Sequence, residues 1–498
     1  MFAILIPILV VLLLLALPAV LLFRALRCTS RQVQAKPVAG PEIDAEAVAE
    51  RLAGAVRFPT ISYLDPARFD REAFLGLHDY LAQAFPRVHS ALTREVIGGY
   101  SLLYTWPGQE TGLKPLLLMA HLDVVPVEPA SEGNWTYPPF SGRIADGYIW
   151  GRGTLDCKGT AIGALEALEM LLAEGFQPRR TILLALGHDE EVSGRHGAAA
   201  IAALLRSRGV ELEYVLDEGG GVTEGLVPGV RAPVAAIGMA EKGYLSLELV
   251  VESKGGHSSA PPRHTAIGIL SQAIVRLERR PFPAHLAGVP RATFEQLAPE
   301  MPPGMRLVLA NLWLFRPLLE WVLPASPEIA AMLRTTTAAT IFQAGVKDNI
   351  LPQRARAVVN FRLRHGDTVE GVIARVRRIV HGLPVEVRPV ADEPYWEPSP
   401  VSDPGSPAYA LLERTIREIY PGVVVAPSLV TGATDSRYYA PLSRNVFRFS
   451  PIALGREDLR RVHGTDERIA VAEYARCVRF FWQLIRNSAE GALLQGET

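Results

Sequence analysis

The 498-residue chain has few cysteines, almost no net charge and no nucleotide-binding loop, and each absence excludes a class of function. Cys28, Cys157 and Cys477 are too few and too scattered for a disulfide framework, and without a CxxC spacing they form no thiolate metal site. A formal net charge of -1 gives no reason to expect a nucleic acid partner. The glycine-containing loop at residues 151–159 lacks both the Walker spacing and a GxGxxG pattern, which argues against phosphate binding.

What the chain does contain is a set of three short apolar runs, at residues 115–120, 181–186 and 213–216. Such runs between turn residues are typical of buried strands in a parallel sheet, whose ligand site lies at the carboxyl ends of the strands. The histidine and acidic residues that follow them include His121, Asp123, Glu190, Glu191 and Asp217. Nitrogen and oxygen ligands gathered at one edge suit zinc or a similar divalent ion. The pattern therefore predicts a metallohydrolase.

The order of elements predicts two kinds of α/β structure. Strands and helices alternate up to about Gly238, which indicates a doubly wound sheet. A different order follows, namely a strand, a helix, two strands, a helix and a strand, at residues 244–252, 266–278, 337–342, 355–362, 369–380 and 385–390. That order is typical of a split βαβ domain inserted into the first. The first pattern resumes near Ser402.

We divide the chain accordingly into six segments. These are a membrane anchor (1–27), a linker (28–44), a catalytic domain in two parts (45–241 and 396–490), an inserted domain (242–395) and a tail (491–498). For the inserted domain, the family resemblance given below implies a dimerisation and lid role. Within the insertion, residues 283–335 are too apolar for a plain surface loop. Three interpretations of this segment stay open: extra core packing, a cover for a long acyl group, or a surface lying against a membrane.

The N-terminal segment predicts a single-pass membrane protein. Residues 2–23 contain no charged residue, and as a helix they would span roughly 33 Å, at about 1.5 Å per residue, enough to cross a bilayer. No basic residue precedes them, as it would in a secretory signal peptide, whereas Arg24, Arg27 and Arg31 follow. We expect an uncleaved anchor rather than a signal peptide. The flanking charges favour a cytoplasmic domain.

Eight segments together resemble the M20 family of dinuclear metallopeptidases, most closely its carboxypeptidase S and N-acyl-amino-acid hydrolase branch. The resemblance extends in order over about residues 45–485, and chance agreement of so many ordered motifs is negligible. The segments are MAHLDVVP (119–126), GRGTLDCKG (151–159), EE (190–191), LDEG (216–219), GGHSS (255–259), DNILP (348–352), GATDSR (432–437) and VHG (462–464).

The resemblance implies a site for two zinc ions, or cobalt or manganese in their place, in each subunit. His121 and Asp217 would bind one ion, Glu191 and His463 the other, and Asp156 would bridge them. Glu190 would be the general base of amide hydrolysis, and Asp123 would orient His121.

The resemblance also implies how substrate is held. His257 of one subunit would reach the active site of the other in a homodimer and stabilise the oxyanion. Asn349 and Arg362 would bind the carboxylate of a small peptide or an N-acyl amino acid. The known members of this branch are vacuolar or secreted, which conflicts with the charge rule, so the side of the membrane stays open.

Two functions other than metal-dependent hydrolysis are also compatible with parts of the sequence. Cys157 beside a carboxylate in a site loop suggests a thiol hydrolase, although a small buried filler is the simpler interpretation. The second alternative is a membrane-tethered binding protein with a degenerate site, but every expected ligand type is present in the sequence.

Overall fold

The computed structural model describes residues 16–391 and 393–489. Its helices are α1 (Ala16–Leu26), α2 (Ala45–Val56), α3 (Arg71–Ala84), α4 (Pro86–Ala91), α5 (Lys158–Ala173), α6 (Ala198–Ser207), α7 (Ala266–Glu278), α8 (Val289–Leu297), α9 (Pro303–Leu309), α10 (Leu312–Val322), α11 (Pro327–Leu333), α12 (Val369–Val380), α13 (Pro407–Ile419), α14 (Arg456–Arg461) and α15 (Val471–Ala489).

The strands are β1 (Thr93–Ile97), β2 (Ser101–Trp106), β3 (Leu116–His121), β4 (Arg143–Ala145), β5 (Tyr148–Trp150), β6 (Ile182–Gly187), β7 (Tyr214–Asp217), β8 (Gly221–Thr223), β9 (Val234–Glu241), β10 (Gly243–Glu252), β11 (Gly256–His257), β12 (Thr336–Ala344), β13 (Ile350–Leu351), β14 (Arg354–Leu363), β15 (Glu386–Pro389), β16 (Val424–Val430), β17 (Val446–Arg448), β18 (Ala453–Leu454) and β19 (Arg468–Ala470).

The larger sheet has the order β1-β2-β6-β3-β7-β17-β9-β8-β18, with β16 paired to β9. Strands β6, β3, β7 and β17 are parallel, as the apolar runs predicted. Alternate residues of β3 face opposite sides: Leu116 and Leu118 pack in the core formed with α2, α5 and α15, and Leu117 and Met119 pack against α6. Helices therefore cover both faces, and the predicted mixed α/β fold is confirmed.

A second, antiparallel sheet has the order β12-β14-β10-β15. Leu247 and Leu249 of β10 pack in a separate core with Leu270 of α7 and Val372 of α12. Its strands and helices follow one another in the order that the split βαβ pattern predicted. Strand β12 lies at the edge of this sheet, and its central residues are exposed.

The apolar segment 283–335 forms helices α8 to α11. Leu297 of α8, Leu309 of α9 and Leu333 of α11 pack in one core with Val234 of β9 and others of the larger sheet. Part of this segment is therefore extra core packing, one of the three interpretations left open by the sequence.

The predicted membrane span covers residues 2–23, of which residues 2–15 lie outside the described residues. Among the residues that are described, no single helix has both the length and the apolar character to cross a membrane. Helix α1 is described over Ala16–Leu26 only, so the predicted transmembrane helix is not supported.

Candidate metal centre

His121 closes strand β3, and its two ring nitrogens have different partners. Nδ1 lies 2.9 Å from the backbone oxygen of Asp123, which can only accept, so Nδ1 carries the proton. Nε2 then presents its lone pair 3.0 Å from Oδ1 of Asp156 and 3.2 Å from Oε1 of Glu218. A lone pair and two carboxylates this close need a cation between them, so the donor set fits a metal ion.

The Asp123 carboxylate fixes the turn that carries the glutamate pair. Its Oδ1 accepts the backbone N–H of Glu190 at 3.2 Å and its Oδ2 accepts that of Glu191 at 3.1 Å. Oδ1 also lies 3.4 Å from Nδ1 of His121. Asp123 thus ties the end of β3 to the single helical turn that follows β6.

Asp156 lies between the two histidines of the site. Its Oδ1 faces His121, and its Oδ2 lies 2.9 Å from Nε2 of His463. Each oxygen thus meets a different imidazole, which is the arrangement that a bridging carboxylate requires. Asp156 and His463 are 307 residues apart in sequence, and the fold brings them into contact because β19, which follows His463, pairs with β5 before Asp156.

Glu191 completes the group around His463. Its Oε1 lies 3.3 Å from Nε2 of His463, and the neighbouring carboxylates of Asp156 and Glu191 raise the pKa of the His463 imidazole to about 10. Within the described part of the chain, Oε1 of Glu191 is buried and accepts no hydrogen bond. Such an unsatisfied buried oxygen is unfavourable unless a cation binds it. Ligand atoms of His121, Asp156 and Glu191 lie within 4.8 Å of one another.

Asp217 does not join this group, and its neighbour Glu218 does. The Asp217 carboxylate accepts the backbone N–H of Ser436 at 2.8 Å, on the other side of the strand end. Glu218 instead faces His121, and burial raises its pKa to about 7. The structure therefore places Glu218 beside His121, where the resemblance implied Asp217, because consecutive side chains at the end of a strand point in opposite directions.

A buried ion pair that the sequence did not reveal braces the site. Arg152 and Glu467 contact each other at 2.5 Å, and both side chains are almost completely buried. Arg152 Nη2 also donates to the backbone oxygen of His463 at 3.2 Å. Glu467 Oε1 accepts backbone N–H groups from Gly153, Leu155 and Asp156. The pair thus joins the loop of Asp156 to the loop of His463. No sign of this role for Glu467 was visible in the sequence, because a single glutamate a few residues after a histidine occurs often and belongs to no recognisable motif.

A cavity of about 520 Å³ adjoins the centre, which is within the range of small-molecule sites. Asp156 and Glu218 line it, together with apolar side chains, glycines and five serines or threonines from residues 155–238 and 428–462. None of its lining residues comes from the apolar segment 283–335. The apolar side chains include Leu429, Val430, Ile452, Leu454, Leu459 and Val462.

His257 and Asn349 lie together on a short exposed ribbon. Strand β11 pairs with β13, and the Ser258 N–H donates to the backbone oxygen of Asn349 at 3.1 Å. The N–H of Ser259 donates to Nδ1 of His257 at 3.1 Å, so in the neutral ring Nε2 carries the proton. His257 is therefore an exposed hydrogen-bond donor. No hydrogen bond or ion pair among the described residues joins either side chain to the metal group.

Arg362 lies on β14, away from the ribbon. Its guanidinium stacks over the Tyr244 ring at 4.6 Å, and that ring stacks on Trp396 at 4.9 Å. Burial lowers the pKa of Arg362. The structure places it at the junction of the two sheets, where Tyr244 of β10 meets Trp396, and not in contact with Asn349.

Cys157 does not have the environment of a nucleophile. Its side chain is fully buried, and burial raises the pKa of the thiol well above its ordinary value. Catalytic thiols need the opposite, a lowered pKa and access to solvent. The thiol-hydrolase alternative is not favoured.

The chain matches the model of peptidase family M20/M25/M40 over residues 117–487, and it belongs to this family of metallopeptidases and related hydrolases. The resemblance found in the sequence is thereby confirmed.

Individual relatives agree with this assignment. The chain is 43% identical to the N-fatty-acyl-amino acid synthase/hydrolase of Xenopus tropicalis, covering 90% of this chain and 87% of the relative. It is 40% identical to the "Probable carboxypeptidase S-like 2" of Dictyostelium discoideum, covering 96% of this chain and 93% of the relative. The fold is similar to that of an M20 family metallo-carboxypeptidase from Sulfolobus solfataricus, with a TM-score of 0.64 and 19% identity over 90% of this chain and all of the other.

Proposed function

We propose that the protein is a dinuclear metal-dependent amidohydrolase that cleaves N-acyl amino acids with a free carboxylate. The observation that carries this proposal is the cavity with an apolar wall that starts at the metal-binding carboxylates Asp156 and Glu218. An acyl group is the part of such a substrate that an apolar wall would bind. The Xenopus relative, named for its action on N-fatty-acyl amino acids, supports the same substrate class.

The residues divide into two ligand sets. His121 and Glu218 would hold one divalent ion, Glu191 and His463 the other, with Asp156 shared. When bound, the ions polarise the amide carbonyl and lower the pKa of water. Zinc suits these nitrogen and oxygen donors, and cobalt or manganese is the alternative.

Glu190 is the proton carrier in this proposal. Its backbone is fixed by Asp123, while burial raises the pKa of its carboxyl group well above the ordinary value. A carboxyl with a raised pKa can take a proton from water and give it to the leaving amine. Glu191, one residue along, faces His463 instead, so the adjacent acids divide metal binding from proton transfer.

We further propose a homodimer formed through the inserted domain. Strand β12 presents exposed Ile341 and Phe342 on an unpaired edge, which natural proteins usually cover. His257, a donor on an exposed ribbon, would then meet the carbonyl oxygen in the partner's site. Asn349 and Arg362 remain the predicted carboxylate-binding residues, since an arginine fork binds carboxylates well.

The experiment that tests the substrate class is a series of N-acyl amino acids of increasing acyl length, beside a panel of dipeptides. If the cavity binds the acyl group, kcat/KM rises with length, by up to about 0.8 kcal/mol per buried CH₂. Leu454→Trp, which narrows the cavity, should abolish this rise. Leu64→Trp, at a side chain that is 87% exposed elsewhere, should leave it unchanged.

A flat response to acyl length, or a clear preference for dipeptides, would move the assignment to a carboxypeptidase. No hydrolysis of any member of either series by the zinc-loaded chain would instead favour the binding-protein alternative.

A further inference from the structure

The helices α1 and α10 expose large apolar side chains to solvent. On α10, Trp313 is 57% exposed, Leu318 is 52% exposed and Trp321 is 80% exposed. Single exposed apolar residues are normal, but a cluster that includes two tryptophans marks a surface that binds something. On α1 the exposed apolar residues are Leu17, Val20, Leu22, Phe23 and Leu26.

The two helices form one continuous surface. The side-chain amide of Asn311, just before α10, donates to the backbone oxygen of Leu21 at 3.0 Å. Arg24 donates from Nε to the backbone oxygen of Ala310 at 3.3 Å. Phe23 of α1 and Trp313 of α10 line the same cavity, which has a volume of about 740 Å³.

This cavity carries an excess of positive charge. Five arginines and a single acidic residue, Glu295, line it. Arg291 pairs with Glu295 at 2.7 Å and Arg316 with Glu320 at 3.2 Å. In the described ranges, the remaining three arginines have no carboxylate within 4.0 Å: Arg24, Arg27 and Arg31. A basic cavity beside an apolar surface is the pattern expected of a site for anionic lipid headgroups.

We propose that the α1–α10 surface lies on an anionic lipid bilayer, with its apolar side chains among the acyl chains and lipid phosphates in the arginine-lined cavity. Helices α9 and α10 together are long and apolar enough to cross a membrane, but they meet at an angle of 104° and so do not form a straight transmembrane segment. With Leu312 buried in the protein and Trp313 and Trp321 exposed, α10 instead packs on the protein through one side and presents apolar side chains outward on another. Tryptophan is enriched at the interface between a membrane and water.

The sequence before α1 points to the same occupant. Residues 2–15, which precede the described part, contain no charged residue and continue the apolar composition of α1. An uncharged apolar composition of this kind favours a bilayer over a soluble partner as the occupant of the surface. This inference does not depend on the reaction proposed above.

The test uses the full chain reconstituted into vesicles that contain brominated phospholipids, which quench tryptophan fluorescence within the acyl region. The chain holds 7 tryptophans, and only Trp313 and Trp321 are expected to reach the lipid. The wild type should be quenched, and the double variant Trp313→Phe/Trp321→Phe should lose that quenching. Equal quenching of both proteins, or none in either, overturns the proposal.

The headgroup contact is tested by lipid charge. Quenching should be stronger with phosphatidylglycerol than with phosphatidylcholine alone, and Arg27→Glu/Arg31→Glu should remove the difference. Arg206→Glu, at an exposed arginine on α6, is the control and should retain the difference in quenching between the two lipids. Equal quenching in both lipids refutes the headgroup contact. Cross-linking between two copies at Trp321→Cys, without quenching of the wild type, would assign this surface to self-association instead.

Discussion

The candidate metal centre and the His257–Asn349 ribbon differ in how many of their side chains contact one another within a single chain. In the centre, ligand atoms of His121, Asp156 and Glu191 lie within 4.8 Å of one another, and the buried pair of Arg152 and Glu467 joins two of its loops. The ribbon consists of two strands of two residues each, and its side chains are exposed. The difference teaches that one chain by itself gathers the candidate metal ligands, whereas it leaves His257 outside that group.

The sharpest test on the metal-centre side is Glu190→Gln. An amide has nearly the shape of the carboxylate but cannot transfer the proton, so kcat should fall about 10²–10⁴-fold. Metal content, measured by atomic absorption after dialysis, should be unchanged because Glu190 is not in the ligand set. Glu191→Gln is the companion variant and should lose metal. A loss of metal in Glu190→Gln instead would show that the two roles are exchanged.

On the ribbon side, His257→Ala should lower kcat about 10²–10³-fold, the usual effect of removing an oxyanion donor. Metal content and thermal stability should not change, since the side chain is exposed. Mixing this variant with Glu190→Gln tests action between subunits. Random pairing should restore roughly a quarter of wild-type activity, because half the dimers then hold one complete site of two. Activity no higher than that of the separate variants would place His257 in its own chain's site.

The next prediction concerns the buried pair of Arg152 and Glu467. It tests whether metal binding at the centre depends on this pair. Glu467→Gln removes the charge that faces Arg152 and weakens the bonds to the Asp156 loop. Zinc affinity, measured by competition with a chelator, should fall about 10–100-fold, which is the typical loss when a residue that orients the metal ligands is changed. Glu457→Gln, which breaks an exposed pair with Arg460, is the control and should bind zinc normally. Unchanged affinity in both variants would show that the buried pair is dispensable.

The smallest expected effect concerns Arg362. If its guanidinium binds the substrate carboxylate, Arg362→Met should raise KM about tenfold, or about 1.4 kcal/mol, with little change in kcat. Arg354→Met, at an exposed position of the same strand, should leave KM unchanged. An N-acyl amine without the carboxylate should be hydrolysed equally by the wild type and the Arg362 variant. A difference between them on that substrate would indicate that the stack on Tyr244 has a structural role instead.

Most of the fold was predictable from local patterns. The parallel strands β3, β6 and β7 were visible as apolar runs, and the inserted sheet as alternating strands and amphipathic helices. Three candidate site residues were predictable because each lies at or directly after the end of a buried strand: His121, Glu190 and Glu191. The membrane span was the weakest prediction, because apolar composition does not say whether a segment crosses a bilayer, lies on it or packs in a core.

By itself the sequence determined which elements form and which residue types reach the edge of the sheet, because backbone periodicity and apolar patterning act over a few residues. Only the tertiary structure decided which of Asp217 and Glu218 faces His121, since that depends on where β7 ends against β17. It also decided that Glu467 supports the loop of Asp156, a contact across 311 residues. Such contacts depend on how distant segments pack, and no local pattern records that.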